Sequence, residues 1–279
     1  WSMTFDVPSW ACKPGFKEKT GLQNFDECLK CTTYNLDWFM DHRQGHTKFL
    51  NVLQGTYWDD AEEWYQKVKD YPTEGWGMGG NNIRDMHMAL KRIITLRDDE
   101  KLQDRDWIHF LGTSKLEWGV MLTSIQRQLR EHVNPNITVS FDCASPYISS
   151  ANGLVYTRNK VTSNQMSYIM EKCFDNKAFS HHSPGNLSNN PFPWESEIGS
   201  RLLTGDVNWY APGMLNKIHK EGKTSWDSFT YGLLMSHNVY MHIRAVQEAN
   251  SLATLECENY QLDWRNWQKK GKKLNQESL

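Results

Sequence analysis

The sequence predicts an α/β fold of the (β/α)8 TIM-barrel type, and three observations carry that expectation. Five short apolar, β-prone runs alternate with helical patterns, which is the signature of a parallel sheet with helical crossovers. Polar residues suited to binding or chemistry close these runs: Asp6, Gln54, the Gly79-Gly80 pair, Thr113 and Asp142. Barrel enzymes place their sites at that end of their strands. No glycine-rich Gly-x-Gly-x-x-Gly turn is read as opening a helix, as a dinucleotide-binding open sheet is expected to show.

The first strand is predicted over Ser2 to Val7, with Pro8 stopping it. A helix follows with Asn24 as N-cap and acidic Asp26 and Glu27 in its first turn, running to about His42. The pattern then repeats: strand Lys48 to Gly55 and helix Asp59 to Val68, strand Gly75 to Gly80 and helix Asn82 to Leu96, strand Trp107 to Thr113 and helix Ser114 to His132, strand Ile137 to Ala144. A closed barrel of this class has eight strands. The chain enters its first strand at Trp1, so about three N-terminal βα units are expected to be absent from it.

After Ala144 the pattern loosens into a polar stretch, Ser145 to Gly222, rich in Asn, Ser, Pro and Gly. A periodic helix returns at about Ser225 to Ser251. The last segment carries Trp264, Trp267 and the basic run Lys269, Lys270, Lys272 and Lys273. A solvated tail is the ordinary reading of such a run, and a nucleic-acid contact is the alternative. The expected organisation is five βα units over 1–160, a loop-rich insertion over 161–222, the last barrel helix over 223–257 and a basic, aromatic tail over 258–279.

The 279 residues are 39% hydrophobic, and 31 Lys and Arg against 33 Asp and Glu leave a formal charge of −2. Such a chain buries a core, and bulk charge does not draw it to nucleic acid or an anionic membrane; any such binding needs a local patch. No run is long and apolar enough for a membrane-spanning helix, and no secretion signal opens the chain. The expected location is therefore cytoplasmic, that of the host if the protein is phage-encoded. Among six cysteines only Cys28 and Cys31 are close, inside a predicted helix, where a structural role outweighs metal binding.

Asp142, in Val-Ser-Phe-Asp-Cys-Ala, ends its strand with Phe141 and Cys143 pointing away from it. That position suits a nucleophile or general base, and equally a loop-bracing or capping carboxylate. Asp6, in Met-Thr-Phe-Asp-Val-Pro, ends its strand likewise. Gln54 offers an amide donor and acceptor, as a purine edge requires. Gly79 and Gly80 leave backbone N–H groups accessible to a ligand carbonyl. Trp76 and Tyr147 suit base stacking, and packing at least as well.

Together and in this order, these motifs resemble the tRNA-guanine transglycosylase family, including its relatives that insert 7-deazaguanines into DNA. The resemblance runs from about Trp1 to Gln247 with a gap in the middle. It rests on Thr4-Phe5-Asp6, Val52-Leu53-Gln54-Gly55, Gly77-Met78-Gly79-Gly80, His109-Phe110-Leu111-Gly112-Thr113, Phe141-Asp142-Cys143 with the later Asn152-Gly153-Leu154-Val155-Tyr156-Thr157, and His237-Asn238. Phe25-Asp26-Glu27-Cys28 spells the base-binding motif literally, but it lies too close to Gln54 and reads as a helix start.

The resemblance implies base exchange through a covalent intermediate on Asp142, with Asp6, Gln54, Gly79 and Gly80 holding the departing guanine and an incoming preQ0-type base. The family's Asp-Ser-Gly-Gly motif belongs to the part expected to be missing. The segment Ala144 to Ala151 lacks the arginines of the tRNA enzymes, which favours DNA as substrate over tRNA and suggests a phage or mobile element. The Cys-x-Cys-x-x-Cys zinc motif is absent, so neither a metal nor another cofactor is expected. Cys173, His181 and His182 are the only nearby partners for His237, and the two histidines read as loop residues. A non-catalytic barrel subunit is the alternative of another class.

Overall fold

The computed structural model describes residues 1–162, 165–173, 190–208 and 228–274, with side chains to 252. It is a mixed α/β protein in two compact units, residues 1–114 with 121–143, and 115–120 with 144 onward.

The first unit is built on a parallel sheet of β1 (Ser2–Met3), β2 (Phe49–Leu53), β3 (Gly75–Met78), β4 (Trp107–Phe110) and β5 (Thr138–Phe141), in the order β1-β2-β3-β4-β5. The short helix α1 (Lys17–Thr20) and then α2 (Phe25–His42) follow β1. Helices α3 (Trp58–Val68), α4 (Met86–Asp98) and α5 (Leu116–His132) make the later crossovers. Right-handed crossovers along a sheet whose order never reverses put their helices on one face.

Asn24 caps α2 as predicted, its Oδ1 accepting the Glu27 N–H at 3.0 Å, a contact whose loss costs about 1 kcal/mol. The buried residues Cys28, Leu29, Thr32 and Leu36 form the inward stripe of that helix. From α3, the wholly buried Trp64 packs on the sheet and donates from Nε1 to Val52 O at 2.9 Å. Arg92 is buried between the rings of Trp58 and Tyr65 and reaches Glu62 at 2.9 Å.

Each strand is shorter than its apolar run. After β2, β3 and β4 the backbone turns two residues past the strand, at Gly55 (φ 147°), Gly80 (φ 58°) and Gly112 (φ 82°), and Asp6 and Asp142 likewise lie beyond the ends of β1 and β5. Helix α4 also begins later than Asn82. The Asn82 amide is spent on Gly79 O at 3.0 Å, holding a tight turn over Gly80–Ile83, and Asp85 caps the helix by accepting from His87 N and Met88 N. Gly75, Gly77 and Gly80 carry the literal Gly-x-Gly-x-x-Gly spacing, but the first two lie within β3 and the third opens a 3-10 turn, not the helix a dinucleotide site needs.

The second unit corrects the expected loops. Ser145–Ala151 is a helix, α6, with Pro146 in its first turn. Strand β6 (Leu154–Thr162) contains the Leu154–Thr157 run that the resemblance implies to be an apolar strand, and it pairs antiparallel with β7 (Gln165–Lys172), which lies inside the predicted loop-rich insertion 161–222. A short helix α7 (Thr204–Asn208) precedes α8 (Ser228–Leu274), which runs past the predicted end near Ser251. One core gathers Val155, Cys173, Phe192, Val207 and Leu234, and another Leu116, Ala245 and Ala249. No helix among the described residues is long and apolar enough to cross a membrane.

Candidate functional site

The sequence-predicted residues stand just beyond the C-terminal ends of the parallel strands, and three of them meet. Gln54 Nε2 donates to Asp6 Oδ2 at 2.8 Å, between neighbouring strand ends. Gly79 lies against the same amide: a Cβ placed there would come within 2.8 Å of Gln54 Nε2 and 3.1 Å of Oε1. Gln54 is only 7% exposed, and its Oε1 is buried with no hydrogen-bond partner among the described residues. Burial raises the Asp6 carboxyl above its ordinary value, against the lowering effect of the Gln54 hydrogen bond. Desolvation wins because a carboxylate loses more in leaving water than one amide donor returns.

Gly80 has a reason of its own to be glycine. Its positive φ and the Gly55 carbonyl oxygen, 2.3 Å from where a Cβ would sit, exclude any side chain. The glycine pair thus serves close packing of two strand ends, and the expectation of two accessible N–H groups is corrected at Gly79, which is buried and donates its N–H to Leu53 O at 2.8 Å.

Asp142 stands apart from these residues, after β5 at the far edge of the sheet. Four inter-strand steps of about 4.8 Å separate its strand from β1. Its side chain is 64% exposed, and Oδ1 accepts the Gly112 N–H at 2.6 Å. His109 Nε2 lies 3.6 Å from the same oxygen. His109 Nδ1 in turn contacts Ser140 Oγ at 2.7 Å, and Trp107 Nε1 donates to that oxygen at 2.7 Å. Sequence reasoning passed over His109. The available signal was strand parity, since Trp107 and His109 share one face of β4 as Ser140 and Asp142 share one face of β5.

The other candidates divide. Trp76 is fully buried, its Nε1 bound to Lys101 O at 2.9 Å and its ring covered by Arg105 at 4.1 Å; it is a core residue and stacks no ligand. Tyr147 is half exposed on α6. Cys28 and Cys31 both lie in α2, and burial pushes the Cys28 thiol up to about 11. Lys269, Lys270, Lys272 and Lys273 lie along the backbone of α8, their side chains outside the described residues. His181 and His182 fall outside the described residues.

His237 and Asn238 of α8 are wholly buried. The Asn238 amide accepts Tyr156 N at 2.9 Å and donates to Ser150 Oγ at 2.8 Å and Leu154 O at 2.9 Å, joining α6 and β6 to α8. His237 Nε2 donates to Tyr156 O at 2.9 Å, and its Nδ1 meets Ser196 Oγ at 2.7 Å. Both ring nitrogens of His237 are thus engaged within the protein. No group of three or more His, Cys, Asp or Glu able to hold a metal occurs among the described residues.

Compared with known proteins, the chain matches no family model and no curated sequence.

Proposed function

We propose that this chain is a base-exchange transglycosylase that replaces guanine in nucleic acid, with DNA favoured, by a 7-deazaguanine of the preQ0 type. The observation that carries the reading is the Asp6–Gln54 pair at 2.8 Å with its unmet Gln54 carbonyl. A buried acceptor without a donor costs about 1–3 kcal/mol. The N1–H and exocyclic amine of a guanine-type base are donors of the kind the two acceptors lack, and the Gly80 N–H would take the remaining carbonyl of such a base, since the Gly79 N–H is held by Leu53 O. The same groups serve the departing guanine and the incoming base in turn.

The parallel strand order without reversal supports a (β/α)8 barrel over a doubly wound sheet, whose order reverses at its ligand crevice. Closing such a sheet turns its two edges toward one mouth, which narrows the separation between Asp142 and the Asp6–Gln54 pair. Asp142 is held through Oδ1 by Gly112 and stands exposed, as a nucleophile must. Its carboxylate forms a bond to C1′ of the target nucleoside as the C1′–N9 bond breaks, and guanine departs, taking up a proton. The incoming base, having given up its N9 proton, attacks C1′ and releases the carboxylate. A target inside a duplex has to leave its stack to reach a barrel mouth. DNA is favoured over tRNA because α6, which follows the nucleophile, carries no arginine.

The test is exchange of radiolabelled guanine or preQ0 into duplex DNA and into bulk tRNA, using protein expressed from its complete reading frame. Label in DNA is expected. Label in tRNA alone moves the substrate to tRNA, and label in neither supports a non-catalytic barrel subunit.

A further inference from the structure

The environment of Asp142 is ordered by a cross-strand pair. His109 of β4 lies directly opposite Ser140 of β5 in the parallel register, and their side chains meet at 2.7 Å. The donor inventory and the Asp142 carboxylate together orient this contact. The Trp107 indole N–H can only donate, and it donates to Ser140 Oγ. The serine keeps one hydroxyl proton and one lone pair, and of the two arrangements open to it, giving the proton to His109 Nδ1 leaves Nε2 carrying the ring proton. That N–H then faces the Asp142 carboxylate at 3.6 Å, where an unprotonated Nε2 would set a lone pair against negative charge. The separation exceeds a hydrogen bond, so the N–H acts on the carboxylate through its dipole while Gly112 supplies the hydrogen bond.

We propose that His109 is a positioning residue for the nucleophile: locked by Ser140 as the Nε2–H tautomer, it aims Asp142 at the reacting carbon. The proposal rests on the reading of Asp142 as the nucleophile, and its test separates the two. Trp107 and Ser140 fix the ring from behind. Gly112 and His109 hold Asp142 Oδ1 from two directions, leaving Oδ2 to attack.

Two measurements on the complete protein test this. In long-range nitrogen–proton NMR of histidine-labelled protein, the signal lost in H109Q is expected to report the Nε2–H tautomer, and S140A to shift it toward the Nδ1–H form. An Nδ1–H tautomer in the wild type overturns the proposal. In base-exchange kinetics, H109F is expected to lower kcat by about 10²-fold, the cost of a misplaced reacting group, with KM for the nucleic acid unchanged. H109Q, whose amide N–H replaces the Nε2–H, is expected to recover most of it. Wild-type kcat in H109F, or a loss in both variants expressed in KM, overturns the positioning role while the wild-type exchange leaves the transglycosylase reading standing. No exchange by the wild type removes that reading and this role with it.

Discussion

Gln54 and Asp6 stand 48 residues apart in sequence and meet at 2.8 Å because β1 and β2 are adjacent and parallel. Their contact leaves a half-buried carboxyl with one amide donor, and a buried amide carbonyl with no described partner.

Burial raises the Asp6 carboxyl above its ordinary value of 3.8. A group whose folded value is raised contributes stability that is complete below the unfolded value and is lost as the pH rises through the folded one. Asp6 therefore weighs against folding at neutral pH. Asp6→Asn is expected to melt higher than the wild type at pH 7, with the gap closing below pH 3.8, and to lose base exchange. Thermal melts across pH check this; a variant less stable at pH 7 contradicts it.

Replacing Gln54 by Leu removes the donor to Asp6 and the carbonyl acceptor together. Affinity for free guanine or preQ0, measured by calorimetry, is expected to fall about ten- to hundredfold, in line with one or two lost hydrogen bonds to a polar base. Unchanged affinity places the base elsewhere.

The two neighbouring glycines are expected to fail differently. Gly80→Ala meets the Gly55 backbone in a left-handed conformation and is expected to lose about 1–3 kcal/mol of stability in a urea melt. Gly79→Ala meets the Gln54 side chain, which can move, so it is expected to lose base affinity with a smaller loss of stability. Equal stability losses contradict the assignment.

In the second unit, Ser196 Oγ accepts Gly199 N at 2.7 Å while its hydroxyl faces His237 Nδ1. Ser196→Ala strands two buried groups and is expected to cost about 1–3 kcal/mol. Burial also holds His237 and His242 below the ordinary 6.5. A depressed value means stability present above the unfolded pKa and lost as the pH falls through the folded one. Stability is expected to decline as the pH drops below 6.5, and a chelator is expected to leave the melt unchanged.

What could be read in advance was local. Asn24 with Glu27 three residues on is a cap visible in four residues, and Asp6, Gln54 and Asp142 announce themselves as polar ends of apolar runs. The strand limits were missed because the expected runs extend to the glycines or just past them, whereas pairing stops two residues earlier, at Leu53, Met78 and Phe110. The start of α4 was missed because Asn82 suits a helix pattern until its amide is seen on Gly79 O. Strand β7 was missed because its alternation is confined to Met166, Tyr168 and Met170, with no residue of Gln165–Lys172 fully buried. For His109, strand parity gives the face shared with Trp107, and the register of β4 against β5 supplies the Ser140 partner.

The central claim is that Asp142 forms a bond to C1′ of the target nucleoside. The direct measurement is mass spectrometry of the protein denatured during turnover with guanine-containing DNA, comparing the wild type with Asp142→Asn. A nucleic-acid adduct on the wild-type peptide that contains Asp142, and neither adduct nor exchange in the variant, is the predicted result. Base exchange that persists in Asp142→Asn contradicts it.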